Sequence, residues 1–146
     1  MYSMSVLVYS SVTFSAVAHY AYSCQLVYYA LLWSLICFTS IFVHSEYYDE
    51  TNPFHETILL LDKTLCYCIA LYGGYLLIRY SQCKPCTWAI PILAFISAMY
   101  LWYRRCCACK SKCSKEQVRM HMIFHMICIL GHASIIYAVG KKVLTF

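Results

Sequence analysis

The first 45 residues of this chain contain no aspartate, glutamate, lysine or arginine. Within them, residues 3–22 and 24–44 form two apolar segments of helix length, parted by a short polar break from His19 to Ser23. Hydrocarbon leaves the backbone no outside hydrogen-bond partners, so such segments favour helices, which satisfy their own amides and carbonyls. The pattern continues downstream, with further apolar segments over 58–79, 87–103 and 118–139. A crossing needs roughly 20 apolar helical residues. The sequence therefore predicts an all-α fold: a polytopic transmembrane helix bundle of about five spans, with 1–146 forming a single transmembrane domain.

Composition agrees. Charged residues make up 12% of the chain, against about 25% in ordinary soluble domains. The formal net charge of +5 is no nucleic-acid signature, because the basic residues cluster in short connections beside the spans, where they set topology. Fifteen tyrosines and three tryptophans suit interfacial anchoring. Eleven cysteines raise the question of a disulfide scaffold. Cys24, Cys37, Cys66, Cys68 and Cys128 fall within the apolar segments, where a thiol behaves as a small hydrophobe, and no disulfide framework is read.

The connections differ in charge. Residues 45–57 read as an acidic loop with Glu46, Asp49, Glu50 and Glu56, and Asn52-Pro53 gives a turn signal. Residues 80–86 read as a short turn carrying Cys83-Lys84-Pro85-Cys86, and Pro91 lies near one end of the span that follows. The stretch 104–117 and its flank bring Arg104, Arg105, Lys110, Lys112, Lys115 and Arg119, which marks that face as cytosolic. Arg79, Lys84, Lys141 and Lys142 argue for the other face. Ala16-Val17-Ala18 looks like a cleavage site, but no basic n-region supports a signal peptide. The expected setting is an endomembrane (endoplasmic reticulum or Golgi) or the plasma membrane.

Inside this apolar frame stand a few polar side chains whose burial is costly, and these are the functional candidates. His121 and His125 are four residues apart, hence on one face of a helix and able to reach one metal ion. Ser40 and His44 repeat that spacing at the end of the second span, and Asp62 stands in the first turns of the third. Alternating crossings put all of these at one membrane face. Catalytic zinc commonly takes three protein ligands and keeps one position open. His44, His121 and His125 would be the ligands, and Zn2+ would acidify water to a pKa of about 7. Asp62 would serve as general base, and Ser40 would orient the water or donate to the developing oxyanion. The outcome would be hydrolysis of an amide or ester in a membrane lipid.

Ser40-x3-His44, Leu61-Asp62 and His121-x3-His125 resemble the signature of the CREST superfamily. Its members include alkaline ceramidases, adiponectin/progestin receptors and the lipid remodellers of GPI-anchored proteins. The resemblance implies zinc held by His44, His121 and His125, with Asp62 and Ser40 beside it. His132 extends the pattern to His-x3-His-x6-His, and Leu61 to Arg79 is similar to the GPI-remodelling branch. The match covers about three spans. In the family the motif helices are the second, third and last of seven. Here one span separates the Asp helix from the His-pair helix where the family has three, which keeps sidedness but removes part of the bundle wall.

Blander alternatives stand beside this. The histidines could bond to backbone or head groups, Asp62 could pair with Lys63 or Arg119, and Ser40 could satisfy its own helix. His132 is expected to pack or hydrogen-bond rather than ligate, His19 to lie in a turn and His55 in a loop. Gly73-Gly74 is expected to permit close helix contact. Cys106, Cys107, Cys109 and Cys113 beside basic residues suit S-palmitoylation or stand unmodified. At the level of the whole chain, the alternatives are a non-catalytic receptor-like or structural protein of the same fold, or a small channel built by homo-oligomerisation.

Overall fold

The computed structural model describes residues 2–45, 53–80, 85–108 and 115–143. All regular structure among them is helical: α1 (Tyr2–Val12), α2 (Phe14–Ser23), α3 (Val27–Val43), α4 (Pro53–Tyr80), α5 (Pro85–Ala108) and α6 (Lys115–Val143). Together α1 and α2 take the place of the first expected span.

The break between them is local chemistry. Ser10 and Ser11 both donate to the Leu7 carbonyl, Thr13 to Ser10 and Ser15 to Val12. Hydroxyls that compete for the carbonyls of the preceding turn bend or interrupt a helix, and Thr13 is the residue where the hydrogen-bonded helix lapses.

The turn from α2 to α3 is tight for a different reason. Gln25 is left-handed, with φ of 60°. The Leu26 amide bonds to the Ala21 carbonyl at 2.9 Å, and the Gln25 amide to Tyr22 at 2.9 Å. This paired arrangement closes a helix C-terminus. Leu26 and Ala21, which the motif brings together, are both buried. Cys24 therefore caps α2 instead of opening the second span.

The long helices extend past the apolar runs that announced them. α4 starts five residues earlier than expected, with Pro53 in first position, where its missing N–H is no loss. The C-terminal part of the expected 45–57 loop is therefore helix. His55 is buried against Phe42 of α3, at a ring distance of 5.5 Å, rather than in a loop. His19 likewise lies within α2, exposed, and not in a turn. Arg104 and Arg105 continue α5, and Lys115 and Arg119 belong to α6, so the expected basic loop is largely helical at both ends. Pro91 is inside α5. Cys83, Cys109 and Cys113 lie outside the described residues.

Four helical columns form a ring: α1 with α2, then α3, α4 and α6, each touching the next, and α6 closing back onto α1 and α2. α5 packs mainly on α6, outside this ring. At its centre are Tyr29, Trp33, Ile69 and Ile136, all buried. Gly73 lets α4 come close, because a Cβ there would lie 2.6 Å from the Tyr29 hydroxyl and 3.2 Å from His132 Nδ1. At Gly74 a Cβ would meet nothing within 4 Å, so only the first of the two glycines serves the expected close contact. Gly131 plays the matching part between α6 and α5, facing Ala94.

The outer surface is apolar. Leu31, Leu35 and Phe38 of α3, Leu71 and Ile78 of α4, and Leu93, Phe95 and Ile96 of α5 all point outward. Two helices, Pro53–Tyr80 and Glu116–Gly140, are long and apolar enough to cross a membrane, and Val27–Val43 is a shorter apolar helix.

Candidate metal centre

His125 is the eleventh residue of α6 and Asp62 the tenth of α4. At 1.5 Å per residue both lie about 14–15 Å from their helix starts. Asp62 is thus in the third turn of its helix, since α4 begins five residues before the apolar run. His44 comes from the opposite direction, as the C-cap of α3, with its amide bonded to the Ser40 carbonyl at 3.1 Å. The Ser40-x3-His44 spacing is therefore one closing turn of helix.

These elements bring the three histidines together. One nitrogen from each of His44, His121 and His125 can be chosen so that all lie within 4.8 Å of one another. His121 Nε2 and His44 Nε2 are 3.0 Å apart. Ring centroids are separated by 4.4 Å for His121 and His125, 4.8 Å for His44 and His121, and 5.6 Å for His44 and His125. Three nitrogens around a tetrahedral ion at about 2.1 Å sit roughly 3.4 Å apart. The widest separation, 4.8 Å, exceeds this by about 1.4 Å. The donor set fits a metal ion.

His125 is the most enclosed of the three, only 3% exposed. Ser10 lies 2.9 Å from its Nδ1, and the Phe14 ring is 4.8 Å away. Ser10 and Phe14 stand on either side of the break at Thr13, so α1 and α2 each place a side chain against this ring. On the other flank, Phe124 lies nearly parallel to His121. A narrow crevice between α5 and α6, lined by Leu101, Trp102, Met120, His121 and Phe124, opens onto the edge of the cluster.

Ser40 and Asp62 are fixed by residues that the motif spacing does not reveal. Ser40 Oγ is 2.9 Å from Ser11 Oγ. The Ser11 hydroxyl donates to the Leu7 carbonyl at 2.9 Å. A hydroxyl has a single proton, and either serine can be the donor in this pair. Asp62 Oδ1 accepts a hydrogen bond from Thr39 Oγ1 at 2.8 Å, which ties α4 to α3 next to Ser40. Thr39 is 2% exposed. Ser10, Ser11 and Thr39 escaped sequence reasoning because a hydroxyl in an apolar helix reads the same whether it serves its own backbone or a neighbour.

His132 lies on the same helix two turns beyond His125. Its Nδ1 is hydrogen-bonded to the Tyr29 hydroxyl and its ring stands edge-on to Trp33 at 5.0 Å. It is a packing and hydrogen-bonding residue, as expected. Cys24, Cys37, Cys66, Cys68 and Cys128 are free thiols, in keeping with the absence of a disulfide framework there.

Comparison with protein-family models, with curated proteins and with solved structures finds no match to this chain. What the arrangement can do is therefore argued from the site itself.

Proposed function

We propose that this chain is an integral-membrane, zinc-dependent hydrolase that cleaves an amide or ester bond in a membrane lipid of ceramide, phospholipid or GPI type. It would be a short form of the CREST arrangement that the motifs resemble. The observation that carries this is the meeting of His44, His121 and His125, from two separate helices, with His125 buried. Isolated histidines scattered through spans have no reason to converge. Three neutral imidazoles with a fourth position open are the donor set of catalytic zinc.

The apolar exterior supports a bilayer setting. Outward-facing leucines, isoleucines and phenylalanines on α3, α4 and α5 would be an aggregation hazard in water. In lipid they are at home, and α1 with α2, α3 and α5 would then cross beside the two longer helices. A basic flank at Arg104, Arg105 and Arg119 would set the metal-site end toward the cytosol.

A zinc ion at the three histidines would supply Lewis acidity, polarising a carbonyl and making water acidic near neutral pH. The chain's own residues do the rest. Thr39 holds Asp62 Oδ1, so Oδ2 is the oxygen that takes the proton from attacking water. As the carbonyl carbon gains the water oxygen and its C–N or C–O bond breaks, Asp62 returns that proton to the departing amine or alcohol. Ser40, held by its contact with Ser11, would orient the water or donate to the developing oxyanion.

A second reading has its own observation. With α5 lying mainly on α6, one outer helix stands where the family has more wall, which suits a metal-bearing receptor-like or structural relative without turnover. The two are separated by assaying purified protein, in mixed micelles loaded with zinc, on ceramide and phospholipid substrates. The hydrolase reading expects product release that Asp62→Asn abolishes while zinc is retained. Zinc-loaded protein inert on the whole lipid panel would leave the non-catalytic reading.

A further inference from the structure

A metal-binding histidine must present a lone pair, and neutral imidazole has two nitrogens that could carry it. We infer that Ser10, on a helix that holds none of the motif residues, is the positioning residue that sets which nitrogen of His125 does so. The inference rests on the proposed metal site for its purpose, but not for its geometry.

Ser10 Oγ is 2.8 Å from the Leu7 carbonyl oxygen and 2.9 Å from His125 Nδ1. A carbonyl can only accept; with the Ser10 proton on Leu7, the serine offers His125 a lone pair and Nδ1 carries the hydrogen, which is the arrangement inferred. Nε2 is then the unprotonated nitrogen, the one suited to a cation. Both partners are buried, with Ser10 at 7% and His125 at 3% exposure, so water does not compete for the bond. Phe14 closes the ring from the far side of the Thr13 break and hinders rotation.

The same Leu7 carbonyl lies 2.9 Å from Ser11 Oγ, which in turn is 2.9 Å from Ser40 Oγ. One backbone oxygen thus aligns two adjacent serines, and the two serve two different members of the site. Ligating histidines commonly donate their second N–H to an oxygen that fixes tautomer and ring orientation, and loss of such a partner costs about 10- to 100-fold in metal affinity.

The test begins with metal-free protein labelled with 15N at histidine, in detergent micelles. The nitrogen shifts of His125, assigned through His125→Gln, should report hydrogen on Nδ1 and a bare Nε2. Ser10→Ala should mix the tautomers, and chelator competition should show zinc bound roughly 10- to 100-fold more weakly. Ser10→Thr, which keeps a hydroxyl, should recover most of the affinity. Ser15→Ala, which removes an exposed hydroxyl bonded only to Val12, should change neither readout. Hydrogen on Nε2 in the wild-type protein, or unchanged zinc affinity in Ser10→Ala, would overturn the inference. Wild-type protein with the Nδ1 tautomer and no zinc binding would instead strike the metal site and leave the role of Ser10 toward His125 standing.

Discussion

Replacing Gly73 and Gly74 by alanine, one at a time, separates close helix packing from helix propensity at adjacent positions. At Gly73 the new methyl would sit 2.6 Å from the Tyr29 hydroxyl, closer than real Cβ atoms approach anything, and 3.2 Å from Ile135 Cδ1. Tyr29 cannot simply swing away. It is fully buried, bonded to His132, and flanked by the rings of Trp33 and Tyr72. Overpacking of this kind costs about 1–3 kcal/mol, and a loosened Tyr29–His132 hydrogen bond about 1 kcal/mol more. Alanine's better helix propensity offsets about 1 kcal/mol. Gly73→Ala should therefore destabilise the fold by roughly 2 kcal/mol. Gly74→Ala meets no neighbour and should stabilise by up to about 1 kcal/mol. Denaturant unfolding of the purified protein in micelles, followed by tryptophan fluorescence, reads both. Equal effects at the two positions, or a stabilised Gly73→Ala, would mean that α4 does not lie against Tyr29 and His132 as described.

Two further substitutions address the turn and the site. Gln25→Gly relieves a left-handed non-glycine residue and should raise unfolding stability by about 1 kcal/mol; a loss of stability would contradict the closing motif at the end of α2. Thr39→Val removes the hydroxyl that holds Asp62 Oδ1. Under the hydrolase reading it should lower kcat by about 10- to 100-fold through misplacement of the base, with zinc content unchanged, and full activity would show that Asp62 needs no such support.

Much of the fold was legible because apolar runs of helix length have few other destinations: each expected span is largely helix, the first divided into α1 and α2 and the second starting only at Val27. The helix ends were not legible. Hydropathy is low at His55 and Glu56 while the hydrogen-bonded helix already runs from Pro53, so Asp62 lies five residues further along its helix than the apolar run implies, and His55 is in helix instead of a loop. The break at Thr13 comes from hydroxyls competing for carbonyls, and serine and threonine count as ordinary span residues in any apolar average. The meeting of His44, His121 and His125 was readable from spacing and parity, which depend only on helix geometry and the number of crossings. Ser10, Ser11 and Thr39 depend on which helix lies beside which, and a single sequence holds no record of that.

Metal analysis of the purified protein addresses the central claim most directly, with every histidine among the described residues changed to alanine in turn. Three protein ligands require about one zinc per chain in the wild type. His44→Ala, His121→Ala and His125→Ala should each lose it, while the exposed His19 and the Tyr29-bonded His132 should be dispensable for it. Zinc retained after loss of His125, or lost equally when His19 is replaced, would contradict a single cation held by those three rings.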